Sequence, residues 1–474
     1  MRKEYWQEVS QKHYNQWASD LMSLIRIPSI KTEDTASIDE PYGAAVKQAL
    51  QQMLLFAKRD GLVYGCVANR VGYIEYGPQN ADKTVGILTH VDVVPTGEGW
   101  ESNPFEPIIK GNDMIGRGVD DMKASTMLSY YALILIAEKG LIVKNKIRLI
   151  IGTDEENDWS DMPYYFDKEG VPELGFSPDG EFIVENAEAG IANVMVTFAA
   201  SNASDVRLLT FDAGIAGNVV PGVATALVSG IDVVELKMAL HSFLSETQQK
   251  YISANITDFN DKVEIKLIGR QAHGSTPEVG KNAGTYLANF LTIFNFSGQA
   301  KNYLTILGHV AHLDSFGEKM GLAYDNKDMG PLVVNYGLQH FEDADSGYFS
   351  INIRYPFGIT QGDITAIISN RVAALNANII TDNDDLQPHL TPENDAVITT
   401  LLSVYQDIMG KPTRLHYSTG ASFGRLIQRG AAFGSRFEWQ KTTAHQINES
   451  YDLNNYPTAI AILAESMYRL GNVK

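Results

Sequence analysis

Five short stretches set ionisable side chains where apolar segments break into turns. In ILTHVDVVPTGEGW, His90 and Asp92 close an apolar run that stops at Pro95 and Gly97. Alternate residues of a strand share a face, so this imidazole and carboxylate stand side by side at the strand's C-terminal edge. GRGVDDMKA places Asp120 and Asp121 in a glycine-loosened loop before a helix, and TDEENDW puts Glu155 and Glu156 at the end of the run KIRLIIG. FSPDGEF carries Asp179 after Pro178, and AHQINES carries His445 and Glu449. Singly, each has an ordinary explanation: a histidine hydrogen-bonded into the structure, or a carboxylate capping a helix and favoured by its dipole.

Together they imply more. Two histidines and three or more carboxylates at the strand ends of one sheet converge in one cleft, where the acids repel one another and desolvation raises their pKa values. Divalent cations relieve that conflict. A histidine-plus-carboxylate set is the ligand vocabulary of zinc, manganese or cobalt, not of magnesium or calcium alone. A set this rich suits two ions about 3.5–4 Å apart with one bridging carboxylate. Neighbours in an extended chain point apart, so one of Glu155 and Glu156 is expected to bind metal and the other to serve as a general base.

Such residues need an open α/β sheet, whose ligand sites lie beyond the carboxyl ends of its strands. Strand-like runs VGYIEYG, TVGILTHVDVV and KIRLIIGTDEE are interspersed with AAVKQALQQMLLFAKRDG, a helix closed by Gly61, and MLSYYALILIAEKG, a buried helix ending at Gly140. The rhythm predicts an α/β fold, a mostly parallel central sheet covered by helices. The N-terminal MRKEYWQEVSQKHYNQWASDLMSLI reads as one amphipathic surface helix. Past about residue 188 the texture changes to ANVMVTFAA, ATALVSG, DKVEIKLIG and YFSINIRYPFG, with helices around VELKMALHSFLSETQQ and NAGTYLANFLTIF, as in an inserted α+β domain. The α/β texture resumes with TTLLSVYQDIMG and AIAILAESMYRL. The expected divisions are 1–188 and 384–474 for the first domain and 189–383 for the insert.

A chain of 474 residues is too long for one core, and 44% hydrophobic with 20% charged residues is a globular composition. The net charge of −19 argues against nucleic acid or an anionic membrane as partner. Cys66 is the only cysteine, so no internal disulfide forms. The N-terminal segment has no apolar signal-peptide core, and no apolar run is long enough to span a bilayer, so a cytoplasmic location is expected.

Taken in order, AKRDG, HVDVVPTGEGWESNPFEP, GRGVDDMK, GTDEENDW, FSPDGEF, GRQAHGSTPEVGKN and NIRYP resemble the co-catalytic metallopeptidases that include carboxypeptidase G-type enzymes, desuccinylases, aminoacylases and carnosinase. Within these the chain is most similar to the PepV-type dipeptidases, over nearly its whole length. The resemblance implies two divalent ions per chain, zinc foremost, with manganese or cobalt as alternatives. His90, Asp121 and Asp179 would bind one; Asp121, Glu156 and His445 would bind the other, with Asp121 bridging. Asp92 would orient His90. Glu155 would take a proton from the metal-bridged water and return it to the leaving amine. The insert would be a lid domain whose His273 stabilises the oxyanion. Asn218 and Arg354 would hold the substrate's carbonyl and C-terminal carboxylate, the arginine fork suiting the latter. The implied activity is hydrolysis of dipeptides or short peptides, and a lid that supplies its own histidine fits a monomer or small homo-oligomer.

The sequence departs from that family at three places. Ala124 stands where glycine is usual, which matters only if the backbone there needs positive φ. The glycine-rich GGGTYGR segment reads STGASFGR from Ser418 to Arg425, keeping Gly420, a candidate substrate contact, and the Gly424–Arg425 pair. The stretch from Phe433 to His445 matches too poorly to assign. Two other functions stay open: an N-acyl amino-acid deacylase or desuccinylase with the same machinery, and a metal-free binding relative. The extended segment around GEKMGLAYDNKDMG argues against the first, and the complete ligand set against the second.

Overall fold

A computed structural model describes residues 3–32, 36–200, 205–247, 250–343, 345–381 and 386–473. The chain forms two compact units, one of Met1–Ala187, Leu390–His416 and Ala421–Lys474, the other of Glu188–His389 and Tyr417–Gly420. The division expected at 383/384 lies outside the described residues; the chain rejoins the first unit at Leu390. It then leaves again for Tyr417–Gly420, an excursion that composition gives no reason to expect.

The first unit is built on a five-stranded sheet in the order Val63–Val67, Val71–Tyr76, Lys146–Gly152, Thr84–His90, Leu174–Phe176. The last three strands run parallel. Backbone bonds from Gly175 N–H to Arg429 O (3.2 Å) and Ser177 N–H to Ala431 O (2.9 Å) continue that part. The first two strands form a hairpin added antiparallel to Lys146–Gly152. Its outer strand VYGCV is largely exposed, so it shows none of the alternation that reveals a strand in sequence.

Strand parity separates two cores. Val85, Ile87, Ile147, Leu149 and Ile151 face a large cluster shared with helices Tyr14–Ile25, Ala44–Arg59, Ala124–Glu138 and Tyr456–Leu470. Leu88 and Ile150 face a smaller one with Met162, Tyr165, Phe423 and Ile427. His90 shares the parity of Leu88 and emerges beside that smaller cluster. The helix Ala124–Glu138 has no polar stripe from Ala124 to Ile136 because it is buried all round. The expected N-terminal helix is two, Lys3–Gln11 and Tyr14–Ile25, and neither merely coats the surface: Trp6 and Trp17 are fully buried, and Trp6 Nε1 donates to Glu465 Oε2 at 2.6 Å. The buried Lys123 ammonium donates to Leu24 O (3.1 Å) and Ile27 O (2.9 Å), tying the end of the second of these helices to the Asp121 loop.

The second unit is an eight-stranded antiparallel sheet among the described residues. Its order is Ser253–Asp258, Lys262–Ile268, Val223–Ser229, Arg207–Ala213, Val333–Glu342, Gly347–Tyr355, Gly190–Phe198, Asn378–Thr381. Phe349, Ile351, Ile353 and Tyr355 join a core with Leu236, Tyr286, Leu287, Tyr303 and Ile364. By the same alternation Ser350, Asn352 and Arg354 lie on the opposite face. No helix of the described residues is long and apolar enough to cross a membrane.

Leu133 sits at the centre of the buried helix with no exposure. Leu133→Ala should lower the free energy of unfolding by about 2–5 kcal/mol through lost transfer energy and the cavity left behind. Equilibrium denaturation in urea measures this; a change below about 1 kcal/mol would contradict the packing described.

Candidate metal centre

His90 ends its strand fully buried, its ring edge-on to Phe423 with centroids 6.3 Å apart. Nδ1 lies 3.1 Å from Asp92 O and 3.3 Å from Asp92 Oδ1. Asp92 Oδ2 accepts the Glu156 N–H at 3.0 Å, so one buried carboxylate spans the histidine and the glutamate turn. That turn follows Lys146–Gly152 and is held from below by Asp161, whose Oδ2 accepts Thr153 N–H (2.7 Å) and Asp154 N–H (3.2 Å). A Cβ on Gly152 would meet Asp161 Oδ2 at 2.6 Å, so only glycine fits there.

The sequence-predicted residues of this unit come together. His90 Nε2 lies 3.3 Å from Asp121 Oδ1 and 3.8 Å from both Glu155 Oε2 and Asp179 Oδ2. His445 Nε2 lies 3.1 Å from Asp121 Oδ2 and 3.0 Å from Glu156 Oε2. Donor atoms of His90, Asp121 and Glu156, and again of His90, Glu155 and Asp179, are close enough to share an ion. The expectation that adjacent glutamates point apart needs correcting: Glu155 and Glu156 stand in a turn, not an extended strand, and both carboxylates reach the cluster. Ala124 has φ −66°, an ordinary helical value, so the absent glycine is no loss. Gly118 does require its left-handed φ of 84°, and a Cβ there would meet Val93 Cγ1 at 2.6 Å.

Burial first, then the charge of Asp121, pushes the Asp179 carboxyl up to about 7. Glu155 and Glu156 are likewise raised, mainly by burial. Burial alone would lower His90, but the negative carboxylates of Asp121 and Asp92 beside its two ring nitrogens hold it well above its ordinary value. Hydrogen bonds to Asp121 and Glu156 raise His445 to about 11. Asp121 is held well below the carboxylate range: burial opposes this, but two imidazoles overcome it. His90 Nε2, Asp121 Oδ1 and Glu156 Oε1 are buried without a hydrogen bond. Ligand atoms left orphaned among acids fit a divalent transition cation in both donor type and charge.

The other expected residues lie in the second unit. Val219 pairs with His273 across a short two-stranded sheet, and Gly274 N–H donates to Asn218 O at 2.7 Å, which joins Asn218 to His273. Ser275 N–H donates to His273 Nδ1 at 3.2 Å, so in the neutral ring the proton resides on Nε2. Arg354 and Asn218 line one groove of about 400 Å³ with Asn193, Ser350 and Asn352. Gly420 ends the excursion Tyr417–Gly420, in which Thr419 Oγ1 donates to Ser275 O at 3.2 Å.

Two buried acids carry more than their sequence signal suggested. Glu449 and Asp120 were visible as members of charged motifs, but the backbone N–H groups and arginines that they hold are encoded by no motif. The stretch from Phe433 to His445, unassignable by sequence, puts Phe433 and Phe437 in the main core and Arg436 Nη1 3.1 Å from Asp120 Oδ1.

A sequence profile described as Peptidase family M20/M25/M40 matches residues 86–469. The chain is 36% identical over 453 residues to the Beta-Ala-Xaa dipeptidase of Lactobacillus delbrueckii subsp. lactis, covering 95% of each. Its fold is similar to human carnosine dipeptidase 1, with TM-score 0.59 and 13% identity, over 99% of this chain and 98% of that one. It is also similar to the dipeptidase Dug1p of Saccharomyces cerevisiae, with TM-score 0.57 and 14% identity, over 99% and 98%.

The Asp179 shift has a sign. Its carboxyl titrates near 7 in the folded chain and at 3.8 ordinarily, so the metal-free fold holds an extra proton between those values. Its contribution to stability therefore falls as pH rises through that window. A cation competes for the same oxygens, so zinc should raise the melting temperature of chelator-stripped protein more at about pH 8 than at about pH 5.5. Equal increments at both pH values would contradict the crowding of acids described here.

Proposed function

The chain belongs to Peptidase family M20/M25/M40, and from that premise we propose that it is a dipeptidase with two divalent ions in the His90–His445 cluster. The observation that carries the reading is the convergence of His90, Asp121, Glu155, Glu156, Asp179 and His445 on shared donor positions. In this reading Asp121 bridges, His90 and Asp179 complete one site, and Glu156 and His445 complete the other. Zinc is the favoured ion, with manganese or cobalt as alternatives. Two such cations would acidify a water and polarise the scissile carbonyl.

The chain's own residues do the rest. The Nδ1 contacts of His90 with Asp92 leave its Nε2 lone pair for the ion. Glu155 takes a proton from the attacking water and gives it to the leaving nitrogen; burial raises its basicity, which favours the first of these transfers. His273, with its proton on Nε2, donates to the oxyanion. Asn218 holds the substrate carbonyl, and Arg354 takes the C-terminal carboxylate through its fork. Gly420 belongs to the segment resting on the His273 turn. Requiring both the scissile carbonyl and a free carboxylate directs cleavage to the amide next to a substrate's C-terminus and disfavours amides that lack that carboxylate.

A panel of β-Ala-Xaa, Ala-Xaa, Xaa-His and N-acetyl amino acids, assayed with zinc, manganese and cobalt, tests the substrate class. Dipeptides should be preferred, and a preference for acetylated substrates would replace the reading with deacylation. Glu155→Gln should lower kcat by about 10²–10⁴-fold with metal content unchanged; full activity would remove Glu155 as the base. His273→Ala should lower kcat by about 10²–10³-fold and leave bound metal at the wild-type level. Parallel loss of metal would contradict an oxyanion role.

A further inference from the structure

Asp120 and Glu449 are buried acids that stand next to expected ligands, yet their oxygens face backbone N–H groups. Glu449 is 1% exposed and comes from the segment that carries His445. Its Oε1 accepts Asp120 N–H at 2.7 Å and Asp121 N–H at 3.0 Å. Its Oε2 accepts Gly118 N–H at 2.9 Å and Arg117 Nη1 at 2.7 Å. Asp120, 7% exposed, reaches the opposite way from the Asp121 loop. Its Oδ2 accepts Thr443 N–H (2.8 Å), Thr443 Oγ1 (3.2 Å) and Ala444 N–H (3.0 Å), and its Oδ1 accepts Arg436 Nη1 (3.1 Å). Each loop therefore grips the other's backbone with a carboxylate, and each carboxylate has its own arginine.

The need for such a grip is visible at His445. Its side chain is 55% exposed, and its backbone has φ 63°, a left-handed value that a non-glycine residue keeps only where its surroundings hold it. Packing does not fix it. The two residues before it are fixed instead by Asp120, and Thr443 Oγ1 accepts Ser450 N–H at 3.0 Å to close the loop. A pair of charge-assisted clamps can set the spacing between Asp121 and His445 where a loop alone would not.

We propose that Asp120 and Glu449 are reciprocal positioning residues for the ion shared by Asp121, Glu156 and His445, touching neither that ion nor the substrate. This rests on the two-ion reading above. Both acids have every oxygen engaged by donors, so an isosteric amide must turn an NH₂ toward an N–H or a guanidinium. Asp120→Asn and Glu449→Gln therefore loosen the clamp without changing volume.

The experiment is zinc titration of chelator-stripped protein against a chromophoric chelator, with elemental analysis of dialysed samples and thermal melting of the metal-free forms. Wild type should bind two ions. Each variant should bind one with wild-type affinity and the other about 10–100-fold more weakly. The weakened ion should be the one lost on His445→Ala, and excess zinc should restore kcat. Arg59→Met, which breaks the remote ion pair with Asp20 (2.8 Å), controls for destabilisation: it should lower the melting temperature and weaken neither site selectively. Thr443→Val gives a milder variant if Glu449→Gln does not fold. Unchanged affinities, or equal weakening of both ions, in variants of a two-ion wild type would overturn the clamp alone. A wild type that binds no second ion would overturn both the clamp and the reading beneath it.

Discussion

Carboxylates cannot be crowded in a low-dielectric interior without an opposing charge, and the organisation of the first unit follows from that constraint. Asp121, Glu155, Glu156 and Asp179 surround two imidazoles, and burial pushes three of the four acids toward their neutral forms. Asp121 alone stays firmly ionised, because both histidines face it. The arrangement is poor as a structural core and good as a cation cradle. Its donor atoms lie close together, and several make no hydrogen bond within the protein.

Holding such a cluster together demands rigidity just outside it. The structure supplies this with acids that have given up any chance of ligation. Asp92 links the His90 strand to the Glu156 turn, Asp161 supports that turn from beneath, and Glu449 and Asp120 lock the two loops to each other. Buried Lys123 performs the complementary task, capping helix-terminal carbonyls so that the Asp121 loop cannot drift from the helical layer. Charged groups used this way stabilise through hydrogen bonds to backbone dipoles, which are directional and position loops more sharply than apolar packing does.

The second unit is organised differently. Its sheet has one face on a helical core and the other carrying Asn193, Ser350, Asn352 and Arg354, polar groups aligned by strand register. Asn352 Nδ2 donates to Asn193 Oδ1 at 2.7 Å, and Arg354 Nε donates to Asn352 Oδ1 at 3.1 Å.

Period-two alternation and the breaks at Pro95 and Gly97 were enough to pair His90 with Asp92, because strand geometry is local. The same local reasoning failed for Glu155 and Glu156, where a turn replaced the assumed extended chain, and for the hairpin strand Val63–Val67, whose exposed residues carry no pattern. It also passed over Val333–Glu342, where a register shift between Tyr336 and Gln339 interrupts the alternation. Sequence by itself determined the residue types able to bind cations, the strand ends that carry them, and the change of texture near residue 188. Only the tertiary structure decided that Glu155 and Glu156 stand in a turn, that Asp120 and Glu449 serve backbone groups and arginines rather than ions, and that Tyr417–Gly420 belongs to the second unit. The reason is physical: periodicity records which face a side chain takes, whereas a hydrogen bond that a carboxylate accepts from an N–H more than three hundred residues away leaves no trace in the order of the residues.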